Sequence, residues 1–467
     1  MFTTLINLYN NYCKINEIFN IINIINNDEE INEDECDRLK DIIINGGCIY
    51  IKFTQWYLSN LKCEKNPNIE ILIEKLDNFF NKCPEHDIEY TKELFMDDLN
   101  IELDEYINID SLELFASGSI GQVYKATRKS DNKLIAIKVK HPDIDKNVEE
   151  FMSVVNVISF FQRFRFIRNR YNLCFDLNKF MDSIFLQINF LNEGDNCDKF
   201  RELYQNNHYV YFPEIFENTE NIIISEFIEV KEFNDFSEYK KSIIALNYTC
   251  FLYDMVLIKN FIHTDLHEKN WGIRTITVNN GENTKKIEQL VIFDCGICIT
   301  SKNIEYNREL INAFESNETE KIMNSLKNFI TFKNEENGKE IMKKNWINII
   351  GDNGVNTKDI FNLIIDFMKD EDLILDYYLL NMIVLLILAE DLLKKNNIIC
   401  CNTKKENKKT NLFYHIKKIN LDVYTLSSEE NSYNELAKYK KNSIKNNKKA
   451  EDLFGHLNDE IKFLPIE

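Results

Sequence analysis

Phe261–Arg274 (F-I-H-T-D-L-H-E-K-N-W-G-I-R), a polar run, and Leu290–Gly296 (L-V-I-F-D-C-G) form the stretch on which the reading of the chain turns. Asp265, Asn270 and Asp294 stand there at the spacing that phosphoryl transfer from a nucleotide requires. One carboxylate takes or orients the proton of an acceptor hydroxyl. An amide five residues on and a second carboxylate at the end of a short strand hold magnesium. The competing reading is a set of polar turns whose Asp and Asn merely cap helices. Against it, Leu290–Phe293 is an apolar β-type run that ends directly in Asp294-Cys295-Gly296.

Working outward, the nucleotide pocket should lie upstream. Leu112–Lys125 and Leu134–Lys140 alternate apolar and polar residues around the turn Arg128–Lys133, the pattern of a hairpin in a small antiparallel sheet. Within the first run Ala116, Ser117, Gly118, Ser119, Gly121 and Val123 follow the phosphate-loop pattern G-x-G-x-x-G-x-V, except that alanine replaces the first glycine. Glycines at 118 and 121 let backbone N–H groups approach phosphate oxygens. Lys138, on the strand that follows, would point its ammonium at the phosphates. Its expected partner is Glu193, in a strongly helical region spanning 143–206, with a surface glutamate as the alternative. Val210–Glu229 reads as two strands and a turn that end in a hinge, where the Glu226 and Ile228 backbone would meet an adenine edge. Residues 239–260 read as a helix leading into the catalytic loop, Thr275–Glu288 as a solvated hairpin tip, and 303–400 as amphipathic helices, the last being Leu373–Lys395.

Near the N-terminus, residues 1–40 suggest one or two helices, and Lys52 and Gln55 would share a helical face. Taken alone, that pair is a solvated surface.

Composition narrows the function. A net charge of −20 argues against a nucleic-acid partner, which needs a basic face to displace counterions. The 12 cysteines lack zinc-ribbon spacing and suggest a reducing intracellular compartment. Cys295-Gly-Ile-Cys298 invites a redox reading, but its first cysteine belongs to the D-x-G turn, which favours packing. His263 and His267 would suit zinc on a helix, whereas the catalytic-loop pattern assigns them elsewhere. The longest apolar run, Tyr377–Ala389, is too short to span a bilayer and predicts a buried helix without a transmembrane segment. No signal or transit peptide is evident. From Asn402 to Ala450, 12 Lys stand against 5 acids, which reads as a flexible tail, with a docking patch for anionic membrane or protein as the alternative.

Together these residues resemble the UbiB-type atypical kinases, from about Gly46 to about Lys395. Lys52-Phe53-Thr54-Gln55 is similar to the family's K-x-G-Q signature, with Thr54 where glycine is usual. Ala116–Tyr124 resembles its alanine-rich loop, Glu193–Asn196 its E-A-x-N segment, and His263–Asn270 its arginine-less catalytic loop. The resemblance implies an α+β, protein-kinase-like two-lobed fold with an N-terminal helical cap and a helical insert in the small lobe. The expected division is a cap over 1–105, a small lobe over 106–230, a large lobe over 231–400 and a tail over 401–467. It also implies ATP and Mg2+ as cofactors. By resemblance, Lys138 and Glu193 form the phosphate-positioning ion pair and Asp265 is the catalytic carboxylate. Asn270 and Asp294 hold the metal, and Lys52 and Gln55 project from the cap.

Two departures carry expectations. Gln187 and Asn189 stand where the family has an E-x-D pair, so Lys52 is expected to be held less tightly. Gly118 replaces an alanine, which should bring nucleotide binding closer to that of ordinary kinases. No A-P-E-like segment follows Gly296. The acceptor is expected to be a small molecule, a lipid-linked partner or water, with a peripheral membrane contact. The rival readings are a nucleotide-gated scaffold without turnover and a small-molecule kinase of the aminoglycoside or choline type.

Overall fold

The computed structural model describes residues 2–26, 33–61, 68, 71–73, 75–76, 85–162, 164, 166, 177–280, 283–316, 318–330, 340, 343–344, 357–370, 373 and 375–395. Three helices lead: α1 (Phe2–Asn26), α2 (Glu33–Gly46) and α3 (Cys48–Leu61). Gly47, at φ 79°, supplies the left-handed residue that turns α2 into α3. α4 (Ile88–Leu99) starts at Asp87, whose carboxylate accepts the Glu89 N–H at 3.2 Å, and the short α5 (Leu103–Tyr106) follows.

Three antiparallel strands come next: β1 (Ile107–Ser117), β2 (Gly121–Arg128) and β3 (Leu134–Lys140). The chain then turns helical through α6 (Ile144–Gln162), α7 (Leu177–Ile188) and α8 (Phe190–Leu203). It returns through β4 (Val210–Tyr211), β5 (Ile215–Asn218) and β6 (Ile222–Glu226). The main sheet has the order β1-β2-β3-β6-β5. Alternation along its strands sends Ile135, Ile137, Val139, Ile222 and Ile224 to one face, where they close a small core with Phe95 of α4. The intervening Lys138 therefore lies on the opposite face.

A larger core unites the leading helices with α6 to α8 and the segments beyond the main sheet. Phe53 of α3 packs edge-on against Phe19 at 5.7 Å and Phe180 at 5.6 Å, and tilted against Phe151 at 5.4 Å. These rings tie α3 to α1, α7 and α6.

Beyond the sheet, α9 (Glu238–Asp254) runs into a π-helical turn, Met255–Lys259, which ends at Asn260 in the left-handed region. Then come β7 (Ile262–His263), β8 (Trp271–Asn280), β9 (Asn283–Ile292) and β10 (Cys298–Ile299). Helices α10 (Ile304–Ser316), α11 (Thr319–Leu326), α12 (Thr357–Asp370) and α13 (Tyr377–Lys395) complete the described chain. Among the described residues no helix is long and apolar enough to cross a membrane.

Several sequence boundaries shift. The alternating run over 112–125 is two strands, because the chain reverses at Gly118–Gly121, where the Gly118 N–H donates to the Gly121 carbonyl at 3.0 Å. A Cβ on Gly121 would overlap the Val139 carbonyl oxygen, so glycine is what lets β2 begin hard against β3. The run over 210–229 holds three short strands, and β4 leaves the main sheet to pair in parallel with β9. Thr275–Glu288 lies mostly within the ten-residue strands β8 and β9. α13 starts at Tyr377 because Asp376 caps it, accepting the Leu379 N–H at 3.0 Å. The tail over 401–467 lies outside the described residues.

Candidate active site

β3 and α8 bring Lys138 and Glu193 together. The ammonium donates to both carboxylate oxygens, at 2.9 and 2.7 Å, with Asp294 Oδ1 at 3.6 Å. The Phe190 ring lies 4.9 Å from the same nitrogen. Burial pushes the Glu193 carboxyl up to about 7, and the Asp294 charge adds to this against the pull of Lys138. Burial pulls the Lys138 ammonium down, but the two carboxylates outweigh it and hold it above its ordinary range. Contact of the ammonium with both oxygens requires the carboxylate form, so the pair is ionic. Asn196, one turn along α8, donates to the Cys295 carbonyl at 2.9 Å and anchors the D-C-G turn to the same helix.

The catalytic-loop segment is held from beneath by His263. Its Nδ1 accepts the Asp265 N–H at 3.2 Å, which leaves Nε2 as the protonated nitrogen, 3.2 Å from the Phe293 carbonyl. Burial lowers its pKa, in keeping with this neutral tautomer. Both nitrogens are thus engaged by backbone, a structural role. Asn270 donates its Nδ2–H to the Asp265 carbonyl at 2.7 Å, and its own carbonyl accepts the Phe293 N–H at 2.8 Å. Of the two ends of the Asn270 amide, only the oxygen can ligate a cation. β7 pairs with β10, and the Thr264 N–H donates to Ile297 at 3.1 Å, closing the segment onto the D-C-G turn. Asp294 itself sits at φ 51°, a left-handed conformation costing an aspartate roughly 1–3 kcal/mol.

The cap enters through Lys52, whose ammonium lies 3.2 Å from Asp265 Oδ2. Burial raises the Asp265 pKa, but the pull of neighbouring charge, Lys52 foremost, outweighs it and holds the carboxyl well below the usual range. His267 Nε2 stands 3.6 Å from the other oxygen, Oδ1. This corrects the expectation that Lys52 is loosely held, since the Asp265 carboxylate fixes it although position 187 carries only an amide. Gln187 packs against the Gly296 turn beside Asp294, 3 % exposed, and its Oε1 is buried without a hydrogen-bond partner. Asn189 caps α8, accepting the Leu191 N–H at 3.0 Å. Gln55 is half-buried on α3, one turn beyond Lys52.

The remaining candidates line the main sheet. Ala116 and Val123 are cross-strand partners, and Ser117 pairs with Gln122. Gly118 and Ser119 stand at the hairpin tip. Neither Gly118 nor Gly121 has positive φ, and an added Cβ on Gly118 would meet only the Gly121 carbonyl oxygen, at an ordinary 3.5 Å. Glycine at 118 is therefore not demanded by the resting fold. Glu226 ends β6, its N–H donating to Glu214 at 2.8 Å and its carboxylate accepting from the Tyr211 hydroxyl at 2.7 Å. Ile228, two residues on, is buried. Cys295 and Cys298 are free thiols, and burial among neighbouring thiols, Cys197 foremost at Cys295, keeps their pKa values raised well above the ordinary range. Such thiols are inert. Sequence reasoning passed over His86 and His141, each a lone histidine in an unremarkable segment; the His141-Pro142 pair directly after β3 was the only signal.

Asp294 and Asn270 carry oxygen donors, the chemistry that a hard cation such as magnesium prefers, and Gln187 beside the Gly296 turn has a buried side-chain oxygen without a hydrogen-bond partner. A family model, the ABC1 atypical kinase-like domain, matches residues 78–326, just over half of the chain. The probable serine/threonine-protein kinase abkC of Dictyostelium discoideum is 26% identical over 54% of this chain and 36% of its own length. The probable protein kinase UbiB of Shewanella pealeana is 24% identical over 60% of this chain and 50% of its own. This chain thus matches half or less of the length of these relatives. The solved complex of Rv3197 with erythromycin, from Mycobacterium tuberculosis, aligns over 62% of this chain and 72% of that one, at 16% identity and a TM-score of 0.39. The chain belongs to the ABC1 atypical kinase-like family.

Proposed function

We propose that the protein binds Mg-ATP between a sheet-bearing lobe and a helical lobe and transfers or hydrolyses the γ-phosphate. The observation that carries this reading is the Lys138 ammonium held by Glu193 and 3.6 Å from Asp294. An ammonium aimed from a strand, fixed by a buried helix carboxylate and adjoining a second carboxylate, suits an α/β-phosphate contact beside a metal. Magnesium, when bound, would neutralise charge on the phosphates; Asp294 and Asn270 would hold it, with Gln187 as a neutral neighbour. Asp265 would orient the acceptor hydroxyl or water, its ionised form secured by Lys52. The loop over 116–123 would cover the phosphates, and the backbone of Glu226 and Ile228 would meet the adenine edge. Positioning and fixed charge would supply most of the rate.

The contact between Lys52 of the cap and Asp265 supports a small acceptor, because α3 stands over the carboxylate that a peptide hydroxyl would have to reach. Coenzyme Q-linked or lipid metabolism is the setting that the family resemblance suggests. A peripheral membrane contact has one feature in its favour, the exposed phenylalanines 160, 161, 164 and 166 at the end of α6. The second reading, a nucleotide-gated scaffold, is favoured by the same Lys52, which occupies one oxygen of Asp265.

Magnesium-dependent release of phosphate from ATP by the wild type, beside Asp265→Asn and Asp294→Asn, tests the choice. The enzyme reading expects turnover in the wild type and a loss of about 100-fold or more in Asp265→Asn, the scale of a general acid–base contribution. Binding without turnover in the wild type favours the scaffold.

A further inference from the structure

Behind the loop over 116–123 runs a chain of buried and half-buried side chains that the proposed chemistry does not use. His141 Nε2 lies 3.0 Å from the Gly118 carbonyl oxygen, with Ser117 Oγ at 3.5 Å from the same nitrogen. His141 Nδ1 lies 2.8 Å from His86 Nδ1, and His86 Nε2 lies 3.0 Å from Thr91 Oγ1. Thr91 Oγ1 in turn lies 3.1 Å from the Tyr124 hydroxyl, to which Gln122 Nε2 donates. Gln122 also grips the main chain of His86, accepting its N–H at 3.0 Å and donating to its carbonyl at 3.1 Å. Thr91, Gln122, Tyr124 and His141 are all buried.

The chemistry of the end group sets every proton in this chain. A carbonyl oxygen only accepts, so His141 carries its proton on Nε2. Its neutral Nδ1 must then accept, which makes His86 the donor through Nδ1 and an acceptor at Nε2. Thr91 donates to His86 and accepts from Tyr124, and Tyr124 accepts from Gln122. One direction of donation satisfies every member. Protonating His141 would set its Nδ1–H against the His86 Nδ1–H, and protonating His86 would set an Nε2–H against the Thr91 hydroxyl proton, so either breaks this order of donation. Burial lowers the pKa of both, His86 to about 4 with help from the His141 charge.

We propose that His86 and His141 are positioning residues that fix the peptide between Gly118 and Ser119 for phosphate binding. In a trans peptide the carbonyl and the next N–H point in opposite directions. Holding the Gly118 carbonyl against His141 therefore turns the Ser119 N–H to the other side of the hairpin tip. The His141 backbone N–H holds the Ile120 carbonyl in the same way, at 2.9 Å, and so orients the Gly121 N–H. Gly118, without a Cβ, would otherwise let its peptide flip and present a carbonyl oxygen to the anionic phosphates. The relay supplies the restraint that a side chain at 118 would give. This inference rests on the nucleotide reading above.

The test compares dissociation constants of Mg-ATP and adenosine for the wild type, His141→Leu, His141→Gln and Thr91→Val. His141→Leu should weaken Mg-ATP by about tenfold, the upper range for one net hydrogen bond, and leave adenosine unchanged. Glutamine, which offers a donor and an acceptor, should restore most of that loss, and Thr91→Val should fall between. In parallel, 15N chemical shifts of the histidine rings in the nucleotide-free wild type should show His141 protonated at Nε2 and His86 at Nδ1. Equal losses for both ligands, no loss in His141→Leu, or the opposite tautomers would overturn the proposal while leaving the nucleotide pocket standing. A wild type that binds no ATP, yet shows these tautomers, would overturn the nucleotide reading, and the role in phosphate binding with it.

Discussion

Lys52 and Asp265 meet although 213 residues separate them, and that contact is the largest influence favouring the ionised form of the carboxylate proposed to orient the acceptor. With Lys52→Met the largest influence holding Asp265 ionised disappears, while the burial that favours its neutral form remains. If ionised Asp265 is required, the acidic limb of the ATP-turnover profile against pH should move to higher pH in this variant. An unmoved limb would mean that Lys52 does not control this carboxylate. At this scale the sequence was legible where a residue stands beside its own marker. Lys138 sits on an alternating strand, Asp294 ends an apolar run, and Glu193 lies in a strong helix. Lys52 could be singled out from the sequence but its partner could not, because no periodicity links α3 to a loop so far along the chain. The amide at 187 pointed to a loose lysine, and proximity to Asp265 overrode that inference.

Among the elements, the hairpin joining β1 and β2 shows what pattern alone misses. Alternation continues across Gly118–Gly121, so the run over 112–125 reads as one strand; the reversal depends on close approach to β3, a tertiary fact. The two glycines consequently differ in kind. Gly121→Ala forces a methyl group into the Val139 carbonyl and should cost about 1–3 kcal/mol, the usual range for overpacking. Gly118→Ala meets only an ordinary contact and should stay within about 0.5 kcal/mol. Denaturant unfolding of the two variants checks this, and equal costs would contradict it. The capped start of α13 and the departure of β4 to another sheet were likewise hidden, since a single aspartate and a two-residue strand give too little signal. The catalytic-loop segment and the helices around it followed their sequence patterns closely.

In the whole molecule, the leading helices share one large core with the segments that carry Asp265 and Asp294, while the main sheet keeps a small core of its own. Lys138 projects from the sheet face opposite that small core, toward α8 and the D-C-G turn, so the ion pair with Glu193 joins sheet and helices. The α+β class and the leading helices could be read from the change of period along the chain. The way α3 closes on Asp265 could not, because it depends on aromatic packing among Phe19, Phe53, Phe151 and Phe180 from four different helices.

The central claim, that this junction is a Mg-ATP site, is tested most directly by thermal unfolding of the full chain with ATP, with and without magnesium, beside Lys138→Met. A ligand at a hundred times its dissociation constant should add about 2.7 kcal/mol to the stability of the wild type. The account predicts a raised Tm that requires magnesium and is lost in Lys138→Met. An unchanged Tm in the wild type across millimolar ATP, or the same rise in Lys138→Met, would contradict it.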